Sequence, residues 1–179
     1  EAVARRVTRE IGYTGDGGTG FDSAKCEVQV RVGRQSPHIS HGRTVGKGKH
    51  EEQGAGDQGL MFGYACDQTP ERMPLPISLS HRIVERLAEL RKSGAIPYLR
   101  PDAKSQVSVE YADGKPVAIN TVVVSTQHAE SAKDEQIHED VVRKVVAPIL
   151  PTDLDTGETI YHVNPTGRFV VGGPQGDCG

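Results

Sequence analysis

The sequence predicts an α+β fold in which helices pack on one face of a mainly antiparallel sheet. Three segments carry the prediction: an amphipathic helix from Ser80 to Lys92, a hairpin around Asp113-Gly114, and a second amphipathic helix from Ala132 to Val146. A further strand from Gly167 to Val171 follows them, so helices and strands do not alternate strictly. This order favours helices on one side of an antiparallel sheet over a parallel α/β sheet.

Both predicted helices have hydrophobic residues at spacings of three and four, which places them on one face of a helix. In the first helix they are Ile83, Val84, Leu87, Ala88 and Leu90, and in the second they are Ile137, Val141, Val142 and Val145. Ser78 or Ser80 can cap the first helix, and Gly94 ends it in the left-handed conformation. Ser131 is the predicted N-cap of the second helix, which ends before Pro148.

The strands are predicted from the alternation of hydrophobic and polar residues, which has the period of a half-buried strand. Apolar residues alternate from Val107 to Tyr111, the Asp113-Gly114 dipeptide favours a tight turn with positive φ, and a second apolar run extends from Val117 to Val124. The segment from Cys26 to Val32 alternates in the same way and predicts another strand. The polar, glycine-rich stretch from Gly33 to Gly48 predicts a mobile loop.

Composition and charge exclude several classes of function. The net charge of -3 and the isoelectric point near 6.2 argue against a nucleic-acid-binding protein, which concentrates Lys and Arg. Apolar runs such as Val122-Val123-Val124 are far shorter than the roughly 20 residues that span a bilayer, and Glu1 to Glu10 lacks the apolar core of a signal peptide. Three widely spaced cysteines, Cys26, Cys66 and Cys178, fit neither a disulfide framework nor a zinc site, so we expect a reduced, cytoplasmic protein.

Residues Gly54 to Gly59 match the G-x-G-x-x-G pattern of dinucleotide-binding loops letter for letter. Such a loop requires a hydrophobic strand before it, a helix after it and an acidic residue about 20 positions further on. The residues before Gly54 are polar, and those near Ser78 are not acidic. The context argues against dinucleotide binding and favours a turn in which Asp57 is solvated or caps the backbone.

Two segments carry residues suited to a phosphorylated ligand. Asp102 and Lys104 lie on one face of a strand, where Lys104 can hold a polyphosphate and Asp102 a ribose hydroxyl or a metal-bound water. The alternative is a surface salt bridge between them. Arg168 and Phe169 precede the glycine-rich residues 172–179, so a guanidinium, a ring and backbone N–H groups can approach an anion and a purine. The alternative there is a tight surface turn after a core strand.

The seven histidines do not form a predicted metal site. His38 and His41 lie on the glycine-rich loop with His50 further along, and neither a rigid frame nor further ligands accompany them. The other four are predicted to be surface or capping residues: His81, His128, His138 and His162. No Ser-His-Asp or Cys-His arrangement follows from their spacing.

Three longer blocks stand out: QGAGDQGLMFGYA at residues 53–65, LRPDAKSQV at residues 99–107 and GRFVVGGPQGDCG at residues 167–179. In sequence, order and spacing they resemble the signature blocks of the bacterial-type S-adenosylmethionine synthetase (methionine adenosyltransferase) family. Residues 73–79 and 126–128 resemble that family too, so the resemblance covers nearly the whole chain.

The resemblance implies a transferase that forms S-adenosylmethionine from ATP and L-methionine. In the family, the methionine sulfur attacks C5′ of ATP, and the released tripolyphosphate is hydrolysed to phosphate and diphosphate. This displacement requires no protein nucleophile. It requires in-line positioning and neutralisation of the leaving polyphosphate, which the family achieves with Mg²⁺, K⁺ and basic side chains.

The resemblance also assigns roles to individual positions. Gln35 corresponds to a methionine-contacting glutamine, Asp177 to an aspartate that contacts both substrates, and Asp57 to a further candidate ligand contact. The implied ATP-binding residues are Asp102, Ala103, Lys104, Arg168, Phe169 and Asp177. The family's mobile active-site loop falls at about residues 35–45. We expect no metal ligand within this chain, because the ligands of Mg²⁺ and K⁺ belong mostly to segments outside it.

Members of this family consist of three similar α+β lobes, with active sites between two subunits of a homodimer or a dimer of dimers. By resemblance, residues 68–172 form one complete lobe, residues 1–46 and 47–67 are parts of the other two, and residues 173–179 begin the return to the first. The chain lacks an initiator Met and the family's His-Pro-Asp block, so we expect an interior fragment without synthetase activity of its own. The alternative is a non-catalytic nucleotide-binding or assembly module.

Overall fold

The structure, a computed structural model, describes residues 1–15, 18–49 and 51–177. The chain divides into two compact units, which we call the main unit (Glu1–Glu27 with Ala65–Gly179) and the small unit (Val28–Tyr64). In chain order the elements are α1 (Ala2–Ile11), α2 (Pro37–Arg43), α3 (Leu75–Lys92), β1 (Leu99–Ala112), β2 (Lys115–His128), α4 (Asp134–Asp140), a π-helical segment (Val141–Val146), β3 (Ile160–Val163) and α5 (Gly173–Asp177). Among the described residues of the small unit, α2 is the only helix or strand. Within the described ranges, no helix has the length and apolar character needed to cross a bilayer.

The sheet of the main unit has the strand order β1-β2-β3. β1 and β2 form the predicted antiparallel hairpin, and Asp113 and Gly114 at its turn have φ values of 50° and 76°. A type I′ turn requires positive φ at both central residues, which is why this dipeptide predicts the hairpin correctly. β3 lies parallel to β2, with Thr121 opposite Ile160, so the sheet is mixed.

One hydrophobic core joins the sheet to the helices, and its buried residues all lie between Leu75 and Leu150. They include Leu79, Ile83 and Leu87 from α3, Val107 from β1, Ile119, Val122 and Val124 from β2, and Ile137, Val141 and Val145 from α4 and the π-helical segment. The Ser105 hydroxyl in β1 also donates a hydrogen bond of 2.7 Å to the Ser80 carbonyl in α3. These contacts confirm the predicted α+β fold with helices packed on the sheet.

The first amphipathic helix begins earlier than predicted. α3 starts at Leu75, directly after Pro74, and the N–H of Leu75 donates to Gln68 Oε1 at 2.9 Å. Ser80 lies inside the helix, where its hydroxyl donates to the Pro76 carbonyl at 2.9 Å. A glutamine side chain from the preceding segment therefore satisfies a free N–H group of the first turn, the role that the sequence assigns to a serine.

The second amphipathic helix begins two residues later than predicted. α4 starts at Asp134 after Lys133, without a side-chain cap, so Ser131 is not its N-cap. The helix continues through Val141–Val146 in π-helical geometry. The predicted buried stripe is confirmed at Ile137, Val141 and Val145, each at most 1% exposed.

The strand predicted from Cys26 to Val32 is wrong. No described segment pairs with it, and Val30 and Val32 are 66% and 87% exposed. Alternation produces a strand only where a neighbouring strand satisfies the backbone hydrogen bonds. The loop predicted from Gly33 to Gly48 contains α2, which begins at Pro37, a residue whose fixed φ suits the first turn of a helix.

The strand predicted from Gly167 to Val171 is also wrong, and the third strand of the sheet is β3 instead. The segment lies beside the end of β2, where the N–H of His128 donates to the Phe169 carbonyl at 2.9 Å. The side chain of Gln127 also donates to the Val170 carbonyl, and the ring of His128 accepts from the Phe169 N–H. Because side chains replace a backbone ladder, the segment has no regular strand geometry.

Candidate functional site

A hydrogen bond from the start of α5 to β1 brings two of the predicted motif blocks together. Asp102 Oδ2 accepts it from the N–H of Gly173 at 2.8 Å. Gly172 is packed so closely that a Cβ there would collide with the Phe169 ring and lie 2.9 Å from Asp102 Oδ2. The carboxylate, the ring and the glycine pair therefore form one cluster, which we call the Asp102 cluster.

The glycine-rich segment after Val171 differs from its prediction. Residues Gly173–Asp177 form α5 rather than an open turn, and Gly173 directs its N–H to Asp102 instead of leaving it for an anion. The predicted backbone nest for phosphate is thus wrong at Gly173. Asp177, at the end of α5, is exposed, whereas Cys178 and Gly179 lie outside the described residues.

Arg168 and Phe169 occupy different environments although they are adjacent. The Phe169 main chain is bonded in both directions to His128, and its side chain is half-buried. Arg168 is exposed and donates from Nη2 to the Glu130 carbonyl at 2.7 Å. It lines an open cleft of about 320 Å³ with residues 130–135. The guanidinium of Arg168 is therefore accessible to solvent, whereas the main chain of Phe169 is fixed by its hydrogen bonds to His128.

The other two predicted residues of β1 differ in exposure. Ala103 is partly buried against the core, and Lys104 is exposed opposite Ser125 of β2. Lys104 forms no ion pair with Asp102, so the alternative of a salt bridge between these two residues is wrong. The lysine ammonium remains available to a ligand.

Tyr13 is a member of the Asp102 cluster that the sequence did not reveal. Its hydroxyl lies against Gly173, and its ring packs edge-on to Phe21 with the centroids 5.7 Å apart. Burial raises the pKa of Tyr13, and the negative charges of Asp102 and Asp177 raise it further. Tyr13 follows α1 and carries no recognisable motif, so only the packing of α5 against it indicates its place.

The two predicted residues of the small unit lie in separate local settings. Gln35 Oε1 accepts a hydrogen bond from Arg43 Nη1, and both residues line a cleft of about 480 Å³ with Ser40, Thr44, Val45 and Gln53. Asp57 is exposed and accepts from the N–H of Gln58 at 2.8 Å, which confirms the backbone-capping interpretation. Among the described residues, no strand directly precedes and no helix directly follows residues 54–59, so the flanking elements of a dinucleotide-binding loop are absent there.

The prediction for one histidine is wrong. His128 is only 1% exposed and bonds to Phe169, whereas His81, His138 and His162 are exposed as predicted. His50 lies outside the described residues. Among the residues that are described, no group of three or more His, Cys, Asp or Glu side chains can hold a metal ion. Nothing in the local sequence marks His128 as buried, because its partner lies 41 residues away.

The chain is similar to known proteins over most or all of its length. Residues 52–169 match the family model described as the central domain of S-adenosylmethionine synthetase. Over 180 aligned residues the chain is 56% identical to the S-adenosylmethionine synthase of Sulfurovum sp. (strain NBC37-1). The alignment covers 100% of this chain and 46% of that relative, so the chain spans about half of the relative's length.

Proposed function

Because this chain belongs to the S-adenosylmethionine synthetase family, we propose that it provides part of the ATP and L-methionine site of an enzyme that forms S-adenosylmethionine. The observation that carries the proposal is the hydrogen bond from Gly173 to Asp102. It joins two motif blocks 71 residues apart, and it places a carboxylate beside the Phe169 ring. A carboxylate can accept a hydrogen bond from the sugar, and an aromatic ring can pack against the base.

The side chains in and near the Asp102 cluster suit the ribose, the adenine and the phosphates of ATP. Asp102 uses Oδ2 for Gly173, which leaves Oδ1 to accept a hydrogen bond from a ribose hydroxyl. Phe169 supplies an aromatic surface for adenine. Lys104 and Arg168 are exposed cations, and such groups bind phosphate oxygens through charge-assisted hydrogen bonds. In this proposal Ala103, between Asp102 and Lys104 in the sequence, is a further contact with ATP.

In the proposed reaction the methionine sulfur attacks C5′ of ATP, and the tripolyphosphate leaves with the electron pair of the C–O bond. Hydrolysis of the tripolyphosphate then gives phosphate and diphosphate. The residues of this chain align the substrates and stabilise the leaving charge, so no protein nucleophile is needed. We assign methionine contact to Gln35, contact with both substrates to Asp177, and a position near the ligand to Asp57.

Mg²⁺ and K⁺ are the cations that the family resemblance implies. Such hard cations require several oxygen ligands around one point. The described residues offer no cluster of three or more ligating side chains, so they do not fit a complete metal site. No step of the proposed reaction is assigned to a metal held by this chain.

We further propose that residues 68–172 are one lobe of a larger subunit, and that the active site is completed between two subunits of a homodimer or a dimer of dimers. The position of the hydrophobic core supports this lobe boundary, because its buried residues lie between Leu75 and Leu150 and the partly buried Leu154, Tyr161 and Val163 pack against it. A lobe with its own core is able to fold as a unit.

A chimera tests the proposed activity. In it, this chain replaces the matching segment of the Sulfurovum synthase, and we expect it to form S-adenosylmethionine from ATP and methionine with Mg²⁺ and K⁺. Lys104→Met should lower kcat/KM for ATP by about tenfold to a hundredfold, the effect of losing one charge-assisted hydrogen bond. The matched control Lys115→Met removes an exposed lysine at the hairpin turn and should have no effect. A folded but inactive chimera, or equal effects of the two substitutions, would contradict the proposal.

A further inference from the structure

The last three residues of β2 form a buried polar segment. Thr126 and Gln127 are 0% exposed and His128 is 1% exposed. Buried polar groups must find hydrogen-bond partners inside the protein. Thr126 and His128 pair with Ala103 and Leu99 of β1. Further partners of the three residues lie in the segment from Asn164 to Val170, which contains the proposed nucleotide contacts Arg168 and Phe169.

His128 satisfies both main-chain groups of Phe169. Its own N–H donates to the Phe169 carbonyl at 2.9 Å, and its Nε2 accepts from the Phe169 N–H at 3.0 Å. Its Nδ1 lies 2.9 Å from the Ala129 carbonyl, which can only accept. The hydrogen must therefore be on Nδ1 and the lone pair on Nε2, so the network requires one neutral tautomer of the ring.

Gln127 holds the next residue of the same segment. Its Nε2 donates to the Val170 carbonyl at 3.0 Å, while its Oε1 is buried without a partner among the described residues. A buried acceptor without a partner is unfavourable. It lies where the side chains of Gln127 and His128, rather than a backbone ladder, hold the neighbouring segment.

We propose that His128 is a positioning residue for the nucleotide site: its neutral imidazole fixes the Phe169 main chain, and through it the ring beside Asp102 and the Arg168 guanidinium. This inference rests on the proposed function and adds a residue that does not itself touch ATP. Phe169 packs on Gly172, and Gly173 bonds to Asp102, so a shift of the Phe169 backbone displaces the ring relative to the carboxylate.

Two isosteric substitutions separate positioning from a general role in stability. In His128→Gln, the side-chain oxygen reaches the place of Nε2 and can accept from the Phe169 N–H. In His128→Asn, the shorter amide reaches only the place of Nδ1, so it can keep the bond to Ala129 but not the bond to Phe169. Both replacements are neutral and polar, and only one of them restores the acceptor for Phe169.

The first measurement is amide hydrogen exchange by NMR on the full 179-residue chain. Exchange at Phe169 should accelerate at least about tenfold in His128→Asn and remain within about twofold of the unsubstituted chain in His128→Gln. The Val122 amide in β2 reports the stability of the core. Equal exchange at Phe169 in the two variants would overturn the inference, whatever the activity of the chimera.

The second measurement is the steady-state kinetics of the same substitutions in the Sulfurovum chimera. His128→Asn should raise KM for ATP at least about fivefold without changing KM for methionine, and His128→Gln should restore the value for ATP. An active chimera in which both variants raise the two KM values equally would overturn the inference and leave the proposed function intact. A chimera without activity would count against the proposed function, and hydrogen exchange at Phe169 would then decide the inference.

Discussion

The main unit and the small unit differ in how their hydrophobic side chains are covered. In the main unit, Leu79, Ile83 and Val141 are at most 1% exposed within a single core. In the small unit no described residue is buried, and Phe62 is 93% exposed. Both units contain strongly alternating or apolar segments. The hydrophobic pattern of a sequence therefore does not by itself determine which side chains are buried.

The largest expected difference between the units is in their susceptibility to trypsin. Residues 28–49 contain Arg31, Arg34, Arg43, Lys47 and Lys49 without any acidic residue, and all of these side chains are exposed. We expect cleavage there to be at least roughly a hundredfold faster than at Arg82 or Arg86 in α3, because opening costs almost nothing in an exposed segment and nearly the global free energy in a core helix. Mass spectrometry of an early time course measures the order of cuts. Digestion in denaturing urea is the control, where the preference should vanish; first cuts inside Leu75–Leu150 would show that the comparison is wrong.

Truncating a core residue should affect stability far more than the same change in the small unit. Ile83→Ala in α3 should lower the free energy of unfolding by about 2–5 kcal/mol, because it removes buried methyl groups and leaves a cavity. Ile39→Ala in α2 is the matched control, since Ile39 is 46% exposed, and it should change the value by less than about 1 kcal/mol. Urea unfolding measured by circular dichroism gives both numbers. Similar losses in the two variants would mean that the small unit contributes to the cooperative core.

The elements that the sequence predicts correctly are those whose signal is local. The Asp113-Gly114 turn and the stripes of α3 and α4 depend on neighbours a few residues away, so backbone preference and periodicity identify them. The strand predicted from Cys26 to Val32 fails for a different reason. Its alternation is correct, but a strand also needs a partner, and the sequence does not indicate whether one is present.

The residues of the candidate site likewise divide into those with a local signal in the sequence and those without one. Lys104, Arg168 and Phe169 are predicted from their residue types and the family resemblance, and in the structure Phe169 lies beside Asp102. Tyr13 and His128 were missed because each acts through a residue far along the chain. Their environments are produced by packing, and neither has a short motif that periodicity or composition can detect.

We expect a stability change of intermediate size when the hydrogen bonds between β2 and the residue after β3 are removed. Asn164 Oδ1 accepts from the Thr126 N–H at 2.8 Å, its Nδ2 donates to the Thr126 carbonyl at 3.2 Å, and its φ is 45°. Asn164→Ala removes both bonds and leaves an alanine at positive φ, so it should destabilise the protein by about 1–3 kcal/mol. Asn164→Gly removes the same bonds without the backbone strain and should cost less by up to about 1 kcal/mol. If the glycine variant were the less stable of the two in urea unfolding, the strain argument would be incorrect.

The smallest expected effect concerns Asp140, which accepts from Tyr98 at 2.7 Å and lies 2.7 Å from the Lys144 ammonium. Burial raises the pKa of Asp140, but the bonds from Lys144 and Tyr98 outweigh it, and the net pKa is lowered. A lowered folded-state pKa gives stability that is present above the unfolded value, about 3.9, and is lost as the pH falls through the folded value. Wild type should therefore exceed Asp140→Asn in unfolding free energy by less than about 1 kcal/mol at neutral pH, and this difference should vanish toward pH 2, roughly two units below the unfolded value. A difference between wild type and Asp140→Asn that did not change with pH would show that the pair contributes by packing alone.

The hydroxyl of Tyr98 should give the opposite pH dependence. Burial and the bond to Asp140 raise the pKa of Tyr98, so the contribution of this hydroxyl to the unfolding free energy is complete below about pH 10 and declines above it. Tyr98→Phe should lack this decline.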